Sequence, residues 1–230
     1  MYNNLSNRAK TIKPSAIRKY FAVPDDVISL GIGEPDFDSP ACVIEAGVHA
    51  LQSGKTHYTA NSGLSELREA ISDDLYRRYH VRYDPNSEII ATVGCSEALF
   101  LALAALIDPG DEVIVITPCF VAYQASVLLA SGIVVEVPCK FENNFDLDIA
   151  AVEAAITPKT KAILLGFPCN PTGAVASREE LQKLCDIAIA HNLAIVSDEL
   201  YDQLVYGIEH VCVPSLNGGF ERTMLVGGFS

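Results

Sequence analysis

The sequence predicts an α/β domain built on a largely parallel sheet. From residue 89 onward, short runs rich in β-branched residues alternate with segments whose apolar residues recur at helical spacing. The predicted strands are Glu88–Val93, Glu112–Thr117, Ile133–Val137, Lys161–Phe167, Leu193–Ser197 and Thr223–Gly227. Strands and helices that alternate at this rhythm favour parallel strands joined by crossover helices.

Four predicted helices lie between the first five of these strands. They are Ser96–Ile107, Val121–Ala130, Leu147–Ile156 and Arg178–His191. In the last of them, Leu181, Leu184 and Cys185 repeat at the spacing of one helix face. The sequence Asp108-Pro109-Gly110-Asp111 predicts a turn between the first helix and the strand that follows it.

The first 88 residues follow a different pattern. A loop is predicted at Gly31–Pro40, and helices are predicted near Val43–Ser53 and at Leu64–His80. A stretch rich in Gly, Asn and Ser separates these two helices. We expect this arm to pack on a neighbouring domain or subunit.

The composition excludes several classes of function. The 230 residues carry a net charge of −13 with no cluster of Lys or Arg, which disfavours nucleic-acid binding. The longest apolar run, Ala98 to Ile107, is too short to cross a bilayer, and the first five residues are polar. The seven cysteines form no C-x-x-C pair and no metal-ligand spacing. We therefore expect a cytoplasmic protein with reduced thiols, without a structural zinc, a membrane or a nucleic acid as partner.

Two predicted strands end in turns suited to binding an anion or a polar group. The carboxyl ends of parallel strands share one edge of the sheet, where such sheets bind ligands. Gly94-Cys95-Ser96 opens a helix whose N–H groups suit a phosphate, with Ser96 as a candidate helix cap, although any β–α turn can hold Gly and Ser. Asn170 is held rigidly in Asn-Pro-Thr-Gly, where a plain turn before a helix capped by Ser177 is the alternative.

Two further strand ends carry an acid and aromatic rings. Asp198 follows a buried strand, and a carboxylate there needs a cation or several donors. Tyr201 lies three residues later and can donate its hydroxyl on the same side. The alternative is that Asp198 caps a helix and Tyr201 packs in the core. Phe120 follows another strand and suits stacking on a flat ligand, although an aromatic there is more often part of the core.

Together these motifs resemble the class I and II aminotransferases, which are pyridoxal-phosphate (PLP) enzymes of fold type I. The specific part is Asn170-Pro171-Thr172-Gly173 followed by Ser197-Asp198-Glu199-Leu200-Tyr201, and the resemblance covers essentially the whole chain. It implies a three-layer α/β/α large domain with a mostly parallel sheet at residues 46–230, incomplete at its C-terminus. Residues 1–45 would form the N-terminal arm and a segment of a small domain that is largely missing.

The resemblance also implies the role of each candidate residue. The PLP phosphate would be held by Gly94, Cys95 and Ser96, and by Tyr58 reaching in from the neighbouring subunit of a homodimer. Phe120 would stack on the pyridine ring and Asp198 would pair with its nitrogen. Asn170 and Tyr201 would bond to the 3-oxygen of the ring. The substrate would be bound by Gly33, in the glycine loop Leu30–Phe37, and by Asn170.

The implied reaction moves an amino group between an amino acid and a 2-keto acid through a Schiff base on a lysine. The resemblance places that lysine immediately after Ser230, where the sequence ends, and no upstream lysine lies at a matching strand end. The chain therefore offers no catalytic residue for this step. A gene fragment, a deliberately shortened protein, proteolysis or a sequence cut at a modified residue would each explain this, and the last two are favoured.

Other functions stay open. A PLP-dependent C–S lyase or a cyclopropane-carboxylate synthase would use the same residues, and a catalytically incomplete fragment or a non-catalytic amino-acid sensor would lack the lysine. A nicotinamide oxidoreductase is disfavoured, because Gly31-Ile32-Gly33 continues into Glu34-Pro35 rather than into a helix with a third glycine.

Overall fold

The computed structural model describes residues 4–12, 24, 26–28, 33 and 37–230. The chain divides into two compact units, one of residues 1–12 with 62–230 and the other of residues 13–61. The first unit contains helix α1 (Asn7–Thr11) and all the strands described below. The second contains helix α2 (Ala41–Gln52), which has no buried residue and exposes four large apolar side chains, those of Val43, Ile44, Val48 and Leu51.

The first unit is built on a sheet of five parallel strands. They are β1 (Glu112–Thr117), β2 (Ile133–Pro138), β3 (Thr160–Gly166), β4 (Ala194–Asp198) and β5 (Thr223–Val226). Their order across the sheet is β2-β1-β3-β4-β5, and every neighbouring pair is parallel. The α/β class and the parallel sheet expected from the sequence are therefore confirmed.

Five helices accompany this sheet. They are α3 (Ser65–Tyr79), α4 (Gly94–Leu106), α5 (Ala122–Leu129), α6 (Ile149–Ala154) and α7 (Arg178–Ala190). Helix α7 begins with a capping box, in which Ser177 and Glu180 each bond to the backbone N–H of the other, so Ser177 is a helix cap. Within the described residues, none of the helices has both the length and the apolar character needed to cross a lipid bilayer.

Two apolar layers pack on opposite faces of the sheet because side chains alternate along each strand. On one face, Ile114, Ile163 and Ile195 pack with residues of α6 and α7. On the other face, the residues next to them in sequence pack with α4 and α5, as Leu164 does with Leu99. The unit is therefore a three-layer α/β/α structure, in which the central strands β1, β3 and β4 are covered on both sides.

The strand predicted at Glu88–Val93 does not form. Residues 85–88 make turns, and Ile89–Thr92 has no regular secondary structure and pairs with no strand among the described residues. Its backbone bonds are local or lead to a loop, as when the Ala91 N–H donates to the carbonyl of Ser62 at 2.9 Å. The β-branched composition favoured a strand here, but a strand also requires a partner ladder, which composition does not reveal.

The strand order reverses between β1 and β3. From β1 the chain adds β2 on one side, then returns to add β3, β4 and β5 on the other. The loops that follow β1 and β3 consequently run in opposite directions and leave a crevice at the carboxyl edge of the sheet. Open parallel sheets bind their ligands at such a crevice.

Candidate active site

Asp198 ends β4 as a buried carboxylate that is 8% exposed. Its Oδ2 accepts a hydrogen bond from the Tyr123 hydroxyl at 2.9 Å, and its Oδ1 accepts one from the Leu200 N–H at 3.2 Å. Burial raises the pKa of Asp198, these two bonds partly offset that rise, and the charge of Glu199 adds to it. No helix follows, so Asp198 is not a helix cap.

The Asp198 carboxylate has no cationic partner within the part of the chain that the structure describes. The ion pairs there involve other acids, on α3, on α7 and at Asp202 and Glu199. A buried carboxylate held by two donors is suited to pair with a positively charged ligand, because such a ligand would compensate for the lost hydration.

Tyr123 is the hydrogen-bond partner of Asp198, and the sequence did not predict a role for it. It lies in the first turn of α5, is buried, and approaches the end of β3 closely enough to require a glycine there. A Cβ atom placed on Gly166 would lie 2.0 Å from the Tyr123 hydroxyl oxygen. Gly166 pairs with Asp198 across β3 and β4, so the glycine, the phenol and the carboxylate form one packed group.

This packing predicts a coupled effect of two substitutions. Gly166→Ala should lower the free energy of unfolding by about 1–3 kcal/mol, because the new methyl group collides with the Tyr123 hydroxyl. In a Tyr123→Phe background the same substitution should cost clearly less, since the colliding oxygen is gone and the nearest ring carbon lies at 3.1 Å. Urea unfolding of the four proteins tests this. Additive losses would contradict the proposed contact.

Asn170 and Tyr201 meet at the same edge of the sheet. Asn170 follows β3 in the Asn-Pro-Thr-Gly turn, and Tyr201 follows β4. The Asn170 Nδ2 donates a hydrogen bond to the Tyr201 hydroxyl oxygen at 3.3 Å. Two donors this close can both reach one oxygen atom of a ligand placed between them.

The first turn of α4 lies beside these groups. The Cys95 Sγ is 3.1 Å from the carbonyl oxygen of Gly227, just beyond β5. Burial, and secondly the nearby Asp198, raise the pKa of Cys95, which places the start of α4 near that carboxylate. Gly94 has φ of +76°, a conformation that favours glycine. This turn is therefore suited to an anion, because its N–H groups and the helix dipole both favour negative charge.

Ser96 is not the cap of α4. The helix begins at Gly94 after Val93, whose N–H donates to the carboxylate of Glu97. Ser96 lies inside the first turn instead, because the helix starts two residues earlier than the sequence predicted. In this position the hydroxyl adds a polar group to the anion-binding end of the helix.

Phe120 lies between β1 and α5, beside the group around Asp198. Its ring meets that of Tyr123 edge to face, with centroids 6.2 Å apart and planes at 82°. Phe120 is partly exposed rather than part of the closed core. An aromatic face at this position can cover a flat ligand that reaches Asp198.

Tyr58 and Gly33 belong to the second unit, and both are exposed there. The remaining residues of the glycine loop, 30–32 and 34–36, lie outside the described residues. The roles of Tyr58 and Gly33 therefore stay predictions.

A second buried acid, Glu199, lies directly after Asp198, and the sequence did not predict a role for it either. Its carboxylate is 2.7 Å from the His210 Nε2 and accepts bonds from the Ser197 hydroxyl and the Val213 N–H, each at 2.9 Å. The His210 ring packs edge-on against that of Tyr79, with centroids 5.6 Å apart. These contacts attach the loop after β4 to α3 and to the turn before β5.

The loop after β4 has a second attachment at Asp202. Its carboxylate accepts hydrogen bonds from Arg78 and from the Tyr79 hydroxyl, the latter at 2.8 Å. Both donors lie at the end of α3. Asp198 thus lies at the start of a loop that is held on both sides, and Tyr201 lies within it.

The chain resembles known enzymes over nearly all of its length. The family model described as aminotransferase class I and II matches residues 25–230. An aspartate aminotransferase of Pyrococcus abyssi is 45% identical, over 98% of this chain and 59% of that protein. The aromatic-amino-acid aminotransferase 2 of Thermococcus litoralis is 42% identical, with the same coverage of 98% and 59%.

Solved structures of aminotransferases also resemble this chain. An aspartate aminotransferase of Thermus thermophilus, solved with maleate, is 41% identical and superposes with a TM-score of 0.91, over 99% of this chain and 60% of that one. This chain thus spans about 60% of the length of these relatives. Its sheet has the fold of the PLP-dependent aminotransferases of fold type I, and the chain belongs to the class I and II aminotransferase family.

Proposed function

We propose that this chain forms the PLP-binding part of an aminotransferase that moves an amino group between an amino acid and a 2-keto acid. The main support is Asp198, a buried carboxylate to which the described residues offer no cation, at the same edge of the sheet as the Asn170–Tyr201 pair and the start of α4. The similarity to aspartate and aromatic-amino-acid aminotransferases supports the same reaction.

The residues present fit PLP. Asp198 would pair with the protonated pyridine nitrogen, a cation that the described part of the chain does not supply to this carboxylate. Asn170 and Tyr201 would donate to the phenolic oxygen, and Gly94, Cys95 and Ser96 would hold the phosphate at the start of α4. Phe120 would cover one face of the ring. Each of these residues offers the charge or the donor that the corresponding part of PLP requires.

When bound, PLP supplies the conjugated ring that accepts electrons from the α-carbon of the substrate. The protein contributes charge and position. Asp198 keeps the proton on the ring nitrogen, because a carboxylate next to that nitrogen favours its charged form. Tyr123 and the Leu200 N–H fix the orientation of this carboxylate, so little reorganisation is needed when PLP binds.

We also assign the substrate and the partner subunit. Gly33 and Asn170 would bind the amino acid, and Tyr58 would contact the phosphate held by the neighbouring subunit of a cytoplasmic homodimer. The four exposed apolar residues of α2 support an association of this kind, because such a surface favours burial against another protein. Light scattering of the purified protein would test the dimer.

The proposal predicts amino-group transfer by the full-length protein. Incubated with PLP, aspartate or an aromatic amino acid, and 2-oxoglutarate, it should form glutamate and the matching keto acid in equal amounts. Chromatography of all four compounds measures this. Release of ammonia without glutamate would indicate a lyase and contradict the proposal.

A direct binding test needs only the present chain. Titration with PLP should change the PLP absorbance, whereas titration with NADH under the same conditions should give no change. Intact-mass spectra before and after borohydride reduction of a protein that contains this chain would show whether PLP is bound through a Schiff base, and peptide mapping would locate the lysine.

A further inference from the structure

Three cysteines follow three neighbouring strands at the edge of the sheet that carries the candidate active site. Cys139 comes directly after β2, Cys119 follows β1, and Cys169 follows β3. They lie 20 or more residues apart in the sequence, which is why their spacing shows no motif. Among the described residues, no group of His, Cys, Asp and Glu has the geometry of a metal site, so these thiols do not form one.

Cys119 and Cys169 lie on either side of the crevice between β1 and β3. The Cys169 Sγ is 3.2 Å from the carbonyl oxygen of Pro118, which belongs to the peptide group that joins Pro118 to Cys119. The sulfur of Cys169 is thus within one peptide unit of the Cα atom of Cys119. The two side chains also interact electrostatically, since the Cys169 thiol contributes, after burial, to raising the pKa of Cys119.

The third thiol is placed differently. Cys139 is buried, with 7% of its surface exposed, whereas Cys119 and Cys169 are both partly exposed. An oxidant arriving from solvent through the crevice therefore meets Cys119 and Cys169 before it meets Cys139.

We propose that Cys119 and Cys169 form an oxidisable thiol pair, which a hydroperoxide converts into a disulfide across the crevice. The reaction is a two-electron oxidation in two steps. The thiolate of Cys169 attacks the peroxide, the O–O bond breaks, and Cys169 becomes a sulfenic acid. The other oxygen leaves as an alkoxide, or as hydroxide when the oxidant is hydrogen peroxide, and is protonated to an alcohol or to water. The thiol of Cys119 then attacks that sulfur, so that the S–S bond forms and a water molecule leaves with the Cys119 proton.

The order of these steps follows from the surroundings of Cys119. Burial raises the pKa of Cys119 to about 12, so its thiolate is scarce near neutral pH. This disfavours Cys119 as the group that attacks the peroxide, and the first attack is assigned to Cys169, which is partly exposed. A sulfenic acid so close to a second thiol condenses faster than it is oxidised further.

The disulfide would alter the candidate active site, a consequence that rests on the proposed function. Cys119 directly precedes Phe120, and Cys169 directly precedes Asn170. A bond between the sulfurs fixes the separation of the two loops that carry the ring face and the amide donor. We expect the oxidised chain to bind PLP at least several-fold more weakly than the reduced chain, and a thiol reductant to restore the affinity.

Peptide mapping tests the pair directly. The purified chain is treated with hydrogen peroxide, its remaining thiols are alkylated after unfolding, and its peptides are analysed by mass spectrometry. We expect a cross-linked peptide that joins Cys119 to Cys169, lost in Cys119→Ser and in Cys169→Ser. The controls Cys139→Ser and Cys185→Ser should keep it, with circular dichroism confirming that each variant is folded.

Several results would overturn the proposal. A cross-link from Cys169 to Cys139 or Cys95, or sulfinic acid at Cys169 without any cross-link, would show that Cys119 is not the partner. Unchanged PLP affinity in the cross-linked chain would contradict the effect of the disulfide on the candidate active site. If the reduced chain binds no PLP, the proposed function is contradicted. Peptide mapping then still shows whether Cys119 and Cys169 form a disulfide.

Discussion

Replacing Asp198 by alanine should reduce amino-group transfer far more than it weakens PLP binding. The carboxylate acts on the ring nitrogen, whereas the phosphate contacts at the start of α4 stay intact. We expect kcat of the full-length protein to fall on the order of 10³-fold, as when a group that stabilises developing charge is removed. PLP affinity should fall only roughly tenfold, because one charge-assisted bond is lost. Equal losses in both would contradict the role of Asp198.

Asp198→Asn is the matched variant, since it preserves the shape and removes the charge. It should lose kcat like the alanine variant, because a neutral amide does not hold a proton on the ring nitrogen. Its stability without PLP should differ from wild type in a pH-dependent way. Burial raises the pKa of Asp198 above its ordinary value of 3.8, so the folded chain keeps this proton to a higher pH than the unfolded chain does.

The direction of the pH dependence follows from the difference in the pKa of Asp198 between the folded and the unfolded chain. As the pH rises from 3.8 through the raised pKa, ionisation of Asp198 costs the folded state more than the unfolded state, and the wild-type chain loses stability. The asparagine variant has no such loss. The free energy of unfolding of Asp198→Asn relative to wild type should therefore increase with pH across this range. A difference that does not change with pH would show that burial does not raise this pKa.

The fold was largely predictable because its signals are local. Runs such as Ala162–Leu165 are apolar at every position, which is typical of strands covered on both faces, and the strand–helix alternation then favours a parallel sheet. The prediction was wrong at Glu88–Val93, where the composition indicated an extended segment but could not indicate a pairing partner.

The candidate site was predictable only where its residues follow strand ends. Asn170, Asp198 and Tyr201 stand in short motifs, and a parallel sheet brings such motifs to one edge. Tyr123 was missed because its contact with Asp198 spans 75 positions, although its place three residues after Phe120, near the same strand end, was a usable signal. Cys119 and Cys169 were missed for the same reason, since contacts between separate β–α loops leave no spacing pattern.

The role of Glu199 was not predicted from the sequence, because this motif was interpreted through the neighbouring residue Asp198 alone.

The contacts of the Glu199 carboxylate predict a large effect on the stability of the chain. His210→Ala should lower the free energy of unfolding by about 3 kcal/mol, since it removes a hydrogen bond to a buried carboxylate and leaves a cavity beside Tyr79. For a chain of this size the midpoint of thermal unfolding should fall by roughly 6–12 °C. Calorimetry of the variant without PLP measures the change.

Three further variants separate this pairing from simple loss of packing. His210→Phe keeps a ring against Tyr79 but removes the donor, so it should be nearly as unstable as His210→Ala. Glu199→Gln added to His210→Ala should recover part of the stability, because a buried amide without charge costs less than an uncompensated carboxylate. Lys183→Ala breaks an exposed ion pair with Glu179 on α7 and should leave the midpoint unchanged. If His210→Phe were as stable as wild type, packing against Tyr79 would be the contribution of His210, and the loop that follows Asp198 would be held by Asp202 instead.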